Sequence, residues 1–157
     1  MHDGKDVVTF NADAALYAVP VSRVQEILDL RPVARMPNAP AHLLGIIDLR
    51  GANIPVVDLR QLLGLPAGAD TAQSRILVVG ITHRGARTTI GIKTDRVIEV
   101  TLLDDPELRP LEEEADLLRW TGSPIAGIGR CKGEVVSVLE LDRLFARVDL
   151  MPDEMAA

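Results

Sequence analysis

The segment from Gly45 to Arg60, GIIDLRGANIPVVDLR, constrains the fold of this chain more than any other feature. Apolar residues lead into and out of an Arg50-Gly51 turn, which is typical of the two strands of a β-hairpin. Gly51 can adopt a positive φ without a Cβ clash, as tight hairpins often require. Asp58 lies three residues before Gln61, the spacing of a capping box, so a helix is predicted to begin there.

This hairpin pattern returns 82 positions later in the chain. The matched positions are Gly45-Ile46 with Gly127-Ile128, Arg50-Gly51 with Lys132-Gly133, Ile54 and Val56 with Val136 and Val138, and Leu59 and Leu62 with Leu141 and Leu144. A shift of 73 positions places Arg23, Val24 and Glu26 on Arg96, Val97 and Glu99. Because glycines, charged residues and leucines agree, a duplication is favoured over a chance likeness of two β-rich halves.

Short strands dominate the remaining sequence. A first hairpin is predicted from Val7–Phe10 and Leu16–Val19, and further strands over residues 75–82 and 88–93. The capping-box spacing of Ser22 and Gln25 predicts a short helix over residues 23–28. Each half then holds about five strands, the number needed for a small closed barrel without exposed edges. Two such barrels side by side would share an apolar seam, and the seam and its loops could bind a partner.

Composition excludes several classes of protein. The chain has 157 residues, enough for one domain, and 47% hydrophobic residues with only 3% aromatic ones, so its core must be aliphatic. A net charge of −6 argues against general nucleic-acid binding. A single cysteine excludes an internal disulfide and indicates a reducing compartment. Neither a secretory signal nor a membrane-spanning run is recognisable, which predicts a cytoplasmic protein.

Residues with catalytic or metal-binding potential are few. The three histidines, His2, His42 and His83, lack the spacing of a helical metal site and are interpreted as solvated surface residues. Arg130 and Lys132 flank Cys131 and could lower the pKa of its thiol. Without a histidine base, however, an incidental thiol is favoured over a nucleophile. No catalytic residue, metal site or cofactor is predicted.

Arg50 is the polar residue that most invites a functional interpretation. Its guanidinium lies beside the turn glycine and could anchor a carboxylate or a carbonyl of another protein. A solvated turn arginine is the competing interpretation. Val24 and Ile27 could likewise be core residues rather than contact residues, and Glu26 could be a solvated side chain.

The runs YAVPVSRVQEIL, MPNAPAHLLGIIDLRGANIPVVDLRQLLG, TTIGIKTDRVIEV and IAGIGRCKGEVVSVLELDRLF resemble the CheW-like family of chemotaxis coupling proteins. The resemblance covers roughly residues 6–146. Its most specific part is the pattern G-x-x-x-x-R-G-x-x-x-P-V-x-D-L-R, which this chain carries from Gly45 to Arg60.

The resemblance implies an all-β fold with a few short helices, built from two SH3-like five-stranded β-barrel subdomains related by an internal pseudo-repeat. It implies one CheW-like domain over residues 1–150, with interleaved subdomains, repeat units of about 7–63 and 76–145, and a C-terminal tail over 151–157. It further implies a non-enzymatic adaptor that couples the regulatory domain of a chemotaxis-type histidine kinase to the cytoplasmic tips of chemoreceptors. Association with itself or with paralogues in signalling arrays is also implied.

The partner-binding residues implied by the resemblance lie in the hairpin and in the RVQEI segment: Arg50, Gly51, Gly45, Val24, Glu26 and Ile27. Asp48 joins this set as a departure, because the family commonly has Asn there. If Asp48 pairs with Arg50, the arginine becomes less available to a receptor.

Four alternatives stay open at this point. The chain could be a CheW-like paralogue that serves surface motility or development, or a detached kinase-like regulatory domain. From other classes, it could be a small ligand-binding β-barrel, although 3% aromatic residues offer little for stacking. A thiol enzyme built on Cys131 is the fourth alternative.

Overall fold

A computed structural model describes residues 6–105, 107–108 and 124–150. Its strands are β1 (Asp6–Ala12), β2 (Ala15–Pro20), β3 (Val24–Asp29), β4 (Leu43–Leu49), β5 (Ala52–Asp58), β6 (Arg75–His83), β7 (Ala86–Thr94), β8 (Arg96–Leu102), β9 (Ile125–Cys131) and β10 (Glu134–Leu139). Two short helices, α1 (Leu59–Leu62) and α2 (Leu141–Phe145), follow β5 and β10. His2 and the predicted tail over 151–157 lie outside the described residues.

The strands form two five-stranded sheets with one shared topology. The sheet that contains the first and the last strand, here called the terminal sheet, has the order β8-β1-β2-β10-β9. The sheet formed by the middle of the chain, the central sheet, has the order β3-β6-β7-β5-β4. Matching β1–β5 with β6–β10 in sequence converts one order into the other, so each sheet combines two strands of one half with three of the other. The predicted fold class is confirmed, whereas the bounds of the domain and of its repeat units stay predictions.

The hydrophobic core has three parts. The largest cluster lies in the seam between the sheets, with Phe10 from the terminal sheet and Leu77 and Ile92 from the central sheet fully buried. Smaller clusters lie within each sheet, around Val136 in the terminal sheet and Val78 in the central sheet. Successive side chains along a strand point to opposite faces of the sheet. Some therefore pack in the seam between the two sheets, and others pack inside their own curled sheet. The predicted seam is therefore a buried core and is not itself exposed to a partner.

The turns of three hairpins share one backbone geometry. Both turn residues have positive φ in Arg50-Gly51 (52° and 87°), in Arg84-Gly85 (52° and 82°) and in Lys132-Gly133 (52° and 81°). Positive φ at both central positions defines the type I′ turn, whose twist matches that of the flanking strands. The hairpin predicted around Arg50-Gly51 is thus confirmed.

Asp58 caps α1 as predicted. Its side chain accepts a hydrogen bond from the Arg60 amide at 3.0 Å, while its own amide donates to the His42 carbonyl at 2.8 Å. In a capping box the Gln61 side chain would accept from the Asp58 amide. Here the His42 carbonyl accepts that hydrogen bond instead, so the cap is connected to the loop before β4.

The helix predicted over residues 23–28 is wrong. Val21–Arg23 forms one 3₁₀ turn, and Val24–Asp29 is the edge strand β3 of the central sheet. β3 pairs antiparallel with β6, so Ile27 lies opposite Leu77. Cross-strand pairing of this kind overrides a local capping signal that has only a few residues of helix to support it.

The central sheet curls until the chain beyond β3 meets β4. The Ala34 amide donates to the Ile46 carbonyl at 2.8 Å, and the Ile46 amide donates back at 2.9 Å. Gly45 lies beneath this crossing with φ 147°, and a Cβ there would overlap the Ala34 carbonyl oxygen and approach Val33 Cγ1 to 2.7 Å. The terminal sheet closes in a similar way, because the Asp104 amide donates to the Arg130 carbonyl at 2.8 Å.

Candidate protein-interaction site

Arg50 and Glu26 form an ion pair that joins the two edges of the central sheet. Glu26 lies on β3 and Arg50 in the turn after β4, at opposite edges of the sheet order. The Arg50 Nη2 group donates to Glu26 Oε1, yet 73% of the Arg50 side chain stays exposed against 25% for Glu26. The pair therefore fixes one end of the guanidinium and leaves its remaining donors facing solvent.

Asp48 supports the turn rather than the arginine side chain. Asp48 Oδ1 accepts a hydrogen bond from the Gly51 amide at 2.8 Å, which holds the tight turn closed. The Arg50 guanidinium donates to Glu26 instead. The departure at Asp48 thus stabilises the backbone on which Arg50 is presented.

The other predicted residues divide between surface and packing. A Cβ on Gly51 would meet no atom within 4 Å, so the turn is open to an approaching surface. Ile27 is exposed, but it points away from Glu26 because neighbouring strand residues alternate. Val24 packs against the seam cluster, and Gly45 is buried beneath the crossing at Ala34. The structure brings together Arg50, Gly51, Asp48 and Glu26.

The second half repeats this arrangement with other residues. Lys132, which matches Arg50, forms an ion pair with Glu99, which matches Glu26, at 2.8 Å. This hydrogen bond with Glu99 raises the pKa of Lys132. Asp104 accepts hydrogen bonds from the Lys132 and Gly133 amides at 2.9 Å each. It holds this turn as Asp48, which accepts from the Gly51 amide, holds the first turn. The shift of 82 positions aligns Arg50 with Lys132, and the shift of 73 aligns Glu26 with Glu99. An ion pair found in one half could therefore have been predicted in the other, although the sequence interpretation did not do so.

A partly buried ion-pair cluster that the sequence interpretation missed joins the two sheets. Arg60 in α1 donates from Nε to Asp95 Oδ1 at 3.0 Å and from Nη2 to Asp95 Oδ2 at 2.6 Å. Asp95 Oδ2 also accepts from the Asp13 amide, in the turn between β1 and β2, at 2.8 Å. The hydrogen bonds from Arg60 are the main cause that lowers the pKa of Asp95.

A second cluster involves α2, and here the helix supplies the carboxylate and its partner the arginine. Arg23 donates from Nη1 and Nη2 to the two carboxylate oxygens of Asp142, both at 3.0 Å. Asp142 Oδ1 also accepts from the Thr82 amide of β6 at 2.9 Å. Arg23 lowers the pKa of Asp142 through these hydrogen bonds. The shift of 82 positions aligns Arg60 with Asp142, so the helix carries the base in one half and the acid in the other.

The environment of Cys131 contradicts the predicted lowering of its pKa. The thiol is buried in the core of the terminal sheet, and burial, followed by the charges of Asp104 and Glu99, raises its pKa. The flanking cations point elsewhere, since Arg130 donates to the Gly133 carbonyl at 2.8 Å and Lys132 binds Glu99. A buried, protonated thiol is a poor nucleophile, which weakens the thiol-enzyme alternative.

Two histidines also depart from their predicted solvated state. His83 is buried, with Nε2 at 2.9 Å from the Val148 carbonyl oxygen. His42 is partly buried, with Nε2 at 2.8 Å from the Asp149 carbonyl oxygen. Both rings hold the segment after α2 against the central sheet. Spacing along the chain could not reveal this, because each partner lies more than 60 residues away.

Within the described ranges, no group of three or more His, Cys, Asp or Glu side chains is placed to hold a metal ion. The same residues include no helix of the length and apolar character needed to cross a membrane. The prominent exposed features are an anchored arginine turn and apolar residues on edge strands. Such features define a protein-interaction domain.

Comparison with known proteins agrees with this class. The model of the CheW-like domain family matches residues 6–149, and the chain belongs to that family. The chemotaxis protein CheW of Rhizobium meliloti is 30% identical over 142 residues, which cover 90% of this chain and 88% of that protein. The CheW of Bacillus subtilis is 33% identical over 110 residues, covering 70% and 68%.

A solved structure extends the agreement to the fold. The scaffolding protein TtCheW of Thermoanaerobacter tengcongensis superposes with a TM-score of 0.78 at 27% identity, covering 95% of this chain and 98% of that one. The family and the fold class predicted from the sequence are both confirmed.

Proposed function

We propose that this chemotaxis adaptor couples the regulatory domain of a histidine kinase to the cytoplasmic tips of chemoreceptors, without catalytic activity of its own. Family membership and the similar scaffolding protein support the adaptor role. The adaptor holds kinase and receptor in a fixed geometry, so that a shift in the receptor biases the kinase between its off and on states. It acts in the cytoplasm, at receptor arrays that it reaches through its partners.

The exposed Arg50 turn is the observation that supports a specific contact surface. Glu26 and Asp48 hold the turn from two sides, which reduces the entropy that a flexible arginine would lose on binding. The free N–H donors of the guanidinium suit a carboxylate or a backbone carbonyl on a partner. Arginine is also enriched among residues that dominate interface energies.

The remaining predicted residues have supporting parts in this proposal. Gly51 lets a partner backbone approach the turn closely, and Ile27 adds apolar area on the outer face of β3. Val24 and Gly45 act through packing, because they set the position of β3 and of the chain that crosses over β4. Glu26 sets the direction of the guanidinium.

Isothermal titration calorimetry with the kinase regulatory domain and with a receptor-tip fragment tests the proposal. Arg50→Ala is expected to weaken binding by about tenfold or more, in the range of an interface hot spot. Lys132→Ala is the matched control, since Lys132 lies in the same turn type and pairs with the equivalent glutamate. Its affinity is expected to stay within about twofold of the native protein.

Two outcomes would contradict the proposal. Absence of binding by the native chain to any cognate kinase or receptor fragment would remove the adaptor function. Equal losses for Arg50→Ala and Lys132→Ala would show that the Arg50 turn is not the specific contact.

A further inference from the structure

A cleft of about 490 Å³ opens beside the segment in which the chain leaves β3 and crosses β4. Its apolar lining comes from four strands of the central sheet and that segment: Leu30, Val33, Leu44, Val56 and Ile76. Val56 and Ile76 are fully buried and form its floor, while the other three are half-buried and form its walls. A concave site of this size with a mainly apolar lining has the dimensions of a small-molecule site.

Three cationic side chains line the same cleft. Arg31 and Arg35 lie in the segment after β3, and Lys93 lies near the end of β7. Lys93 donates to Asp70 at 2.6 Å, so a carboxylate of the chain itself already lies at this cleft. Arg31 and Arg35 are exposed, and neither has a hydrogen bond or an ion pair within the part of the chain that the structure describes. Their guanidinium N–H groups are therefore available to a ligand.

The matching region of the terminal sheet has the opposite charge. Two arginines follow the edge strand β3, whereas the segment after the matching edge strand β8 carries three acidic residues, Asp104, Asp105 and Glu107. The shift of 73 positions places Pro20 at the position of Lys93. The terminal sheet nevertheless closes, through the Asp104 amide and the Arg130 carbonyl. Closure of a sheet therefore does not require the three cations of the cleft.

We propose that this cleft binds a small organic anion that combines a carboxylate with an apolar body, of the class of an alkyl carboxylate. The apolar body packs against the floor and walls of the cleft, and its removal from water supplies the hydrophobic part of the affinity. The carboxylate binds Arg31 and Arg35, because a guanidinium donates two parallel hydrogen bonds to such a group. Since the whole chain carries a net charge of −6, only a local group of cations can attract an anion to it.

The cleft is separate from the Arg50 turn. Leu44 is the second residue of β4, whereas Arg50 follows the last residue of that strand. The residues predicted to bind a partner are all described by the structure, and none of them lines the cleft. The inference therefore does not rest on the proposed coupling of kinase and receptor, and its failure would leave that proposal unchanged.

An NMR titration of the ¹⁵N-labelled full chain with decanoate, kept below its micelle concentration, tests the proposal. We expect saturable shifts at the amides that surround the cleft, with a dissociation constant on the order of 1 mM. Butyrate keeps the carboxylate but lacks most of the apolar chain, so it should bind at least about tenfold more weakly. Decyltrimethylammonium has the same chain length with the opposite charge and should not bind in the cleft.

Charge-removing variants test the two arginines. The double variant Arg31→Gln and Arg35→Gln should weaken decanoate binding about fivefold or more, because it removes the charged donors. The double variant Arg87→Gln and Arg143→Gln is the matched control, since it removes two exposed arginines that lie outside the cleft. Its dissociation constant should stay within about twofold of the native value.

A space-filling variant tests the apolar part of the site. Leu44→Trp reduces the volume of the cleft without a change of charge, so it should also weaken decanoate binding. Circular dichroism of each variant confirms that it is folded.

Absence of saturable shifts at about 10 mM decanoate, where a millimolar site is largely occupied, would overturn the proposal. Equal shifts with decyltrimethylammonium would show apolar adsorption rather than anion binding and would overturn it too. Shifts centred on the exposed apolar residues of β8 would place the binding outside the cleft and contradict it. Native affinity in the Arg31 and Arg35 double variant would remove the two arginines from the site and reject the proposal.

Discussion

The Arg50 and Lys132 hairpin turns make equivalent ion pairs but are supported differently. Arg50 reaches Glu26, and Lys132 reaches Glu99, the matching residue of the matching edge strand. Because both halves contain this pair, closure of each sheet explains it without reference to function. An ion pair at Arg50 is therefore not by itself a sign of a binding site.

The support of each turn is where the halves differ. The Arg50 turn is stabilised by Asp48, two residues away in the same hairpin. The Lys132 turn is stabilised by Asp104, which follows β8 and is 28 residues away. The backbone of the first turn is thus held within its own hairpin, whereas the backbone of the second is tied to a neighbouring segment. This difference favours the Arg50 turn as the one available to a partner.

Substitution of Gly45 should have the largest effect. Gly45→Ala places a Cβ against the Ala34 carbonyl at a strained φ, so we expect a loss of at least about 3 kcal/mol in the free energy of unfolding. Gly51→Ala also has positive φ but open space, and about 1 kcal/mol is expected. Urea denaturation measures both. Equal losses would mean that the crossing at Ala34 does not constrain Gly45.

The two sheet-joining clusters come next and depend on pH. Asp95 and Asp142 have lowered pKa values in the folded protein, so their contribution is complete above the unfolded value of about 3.9 and is lost as the pH falls through the folded values. The double variant Asp95→Asn and Asp142→Asn should lose roughly 1 kcal/mol per site at pH 7, since both carboxylates are partly exposed. Its deficit should shrink as the pH is lowered below about 4.

Denaturation curves recorded from neutral to acid pH measure this effect. Asp29→Asn is the control, because the Asp29 carboxylate is 90% exposed and its contact with Arg75 is 3.4 Å long. A deficit of the double variant that stays constant down to the lowest pH would contradict the assigned role of the two carboxylates.

Glu26→Gln should have a moderate effect on binding. The amide keeps a hydrogen-bond acceptor for Arg50 but removes the charge, so the guanidinium is held less firmly. We expect roughly two- to fivefold weaker binding to the kinase regulatory domain, less than for Arg50→Ala. Tighter binding by Glu26→Gln would show instead that Glu26 competes with the partner for Arg50.

Asp48→Asn should have the smallest effect. The asparagine Oδ1 can still accept from the Gly51 amide, so the unfolding free energy should change by less than about 0.5 kcal/mol. Since Asp48 does not occupy the Arg50 guanidinium, partner affinity should stay within about twofold. A large gain in affinity on removing this charge would show that Asp48 does weaken the Arg50 contact.

Much of the fold could be predicted from local pattern. The hairpins follow from apolar alternation around glycine turns, the cap on α1 follows from Asp58, and the duplication follows from matched residues at two shifts. Local pattern misled at Val24–Asp29, where a capping signal predicted a helix and pairing with β6 decided a strand. It also misled at His83 and Cys131, whose surroundings come from distant parts of the chain.

The sequence by itself determined the family, the hairpins and the presence of two related halves, because these depend on residue identity and spacing over short distances. The tertiary structure alone decided how strands of the two halves exchange between sheets. It also decided that Arg50 pairs with Glu26 rather than Asp48, and that Arg60 and Arg23 join the sheets. These contacts link residues far apart in sequence, and burial and charge act through distance in space rather than along the chain.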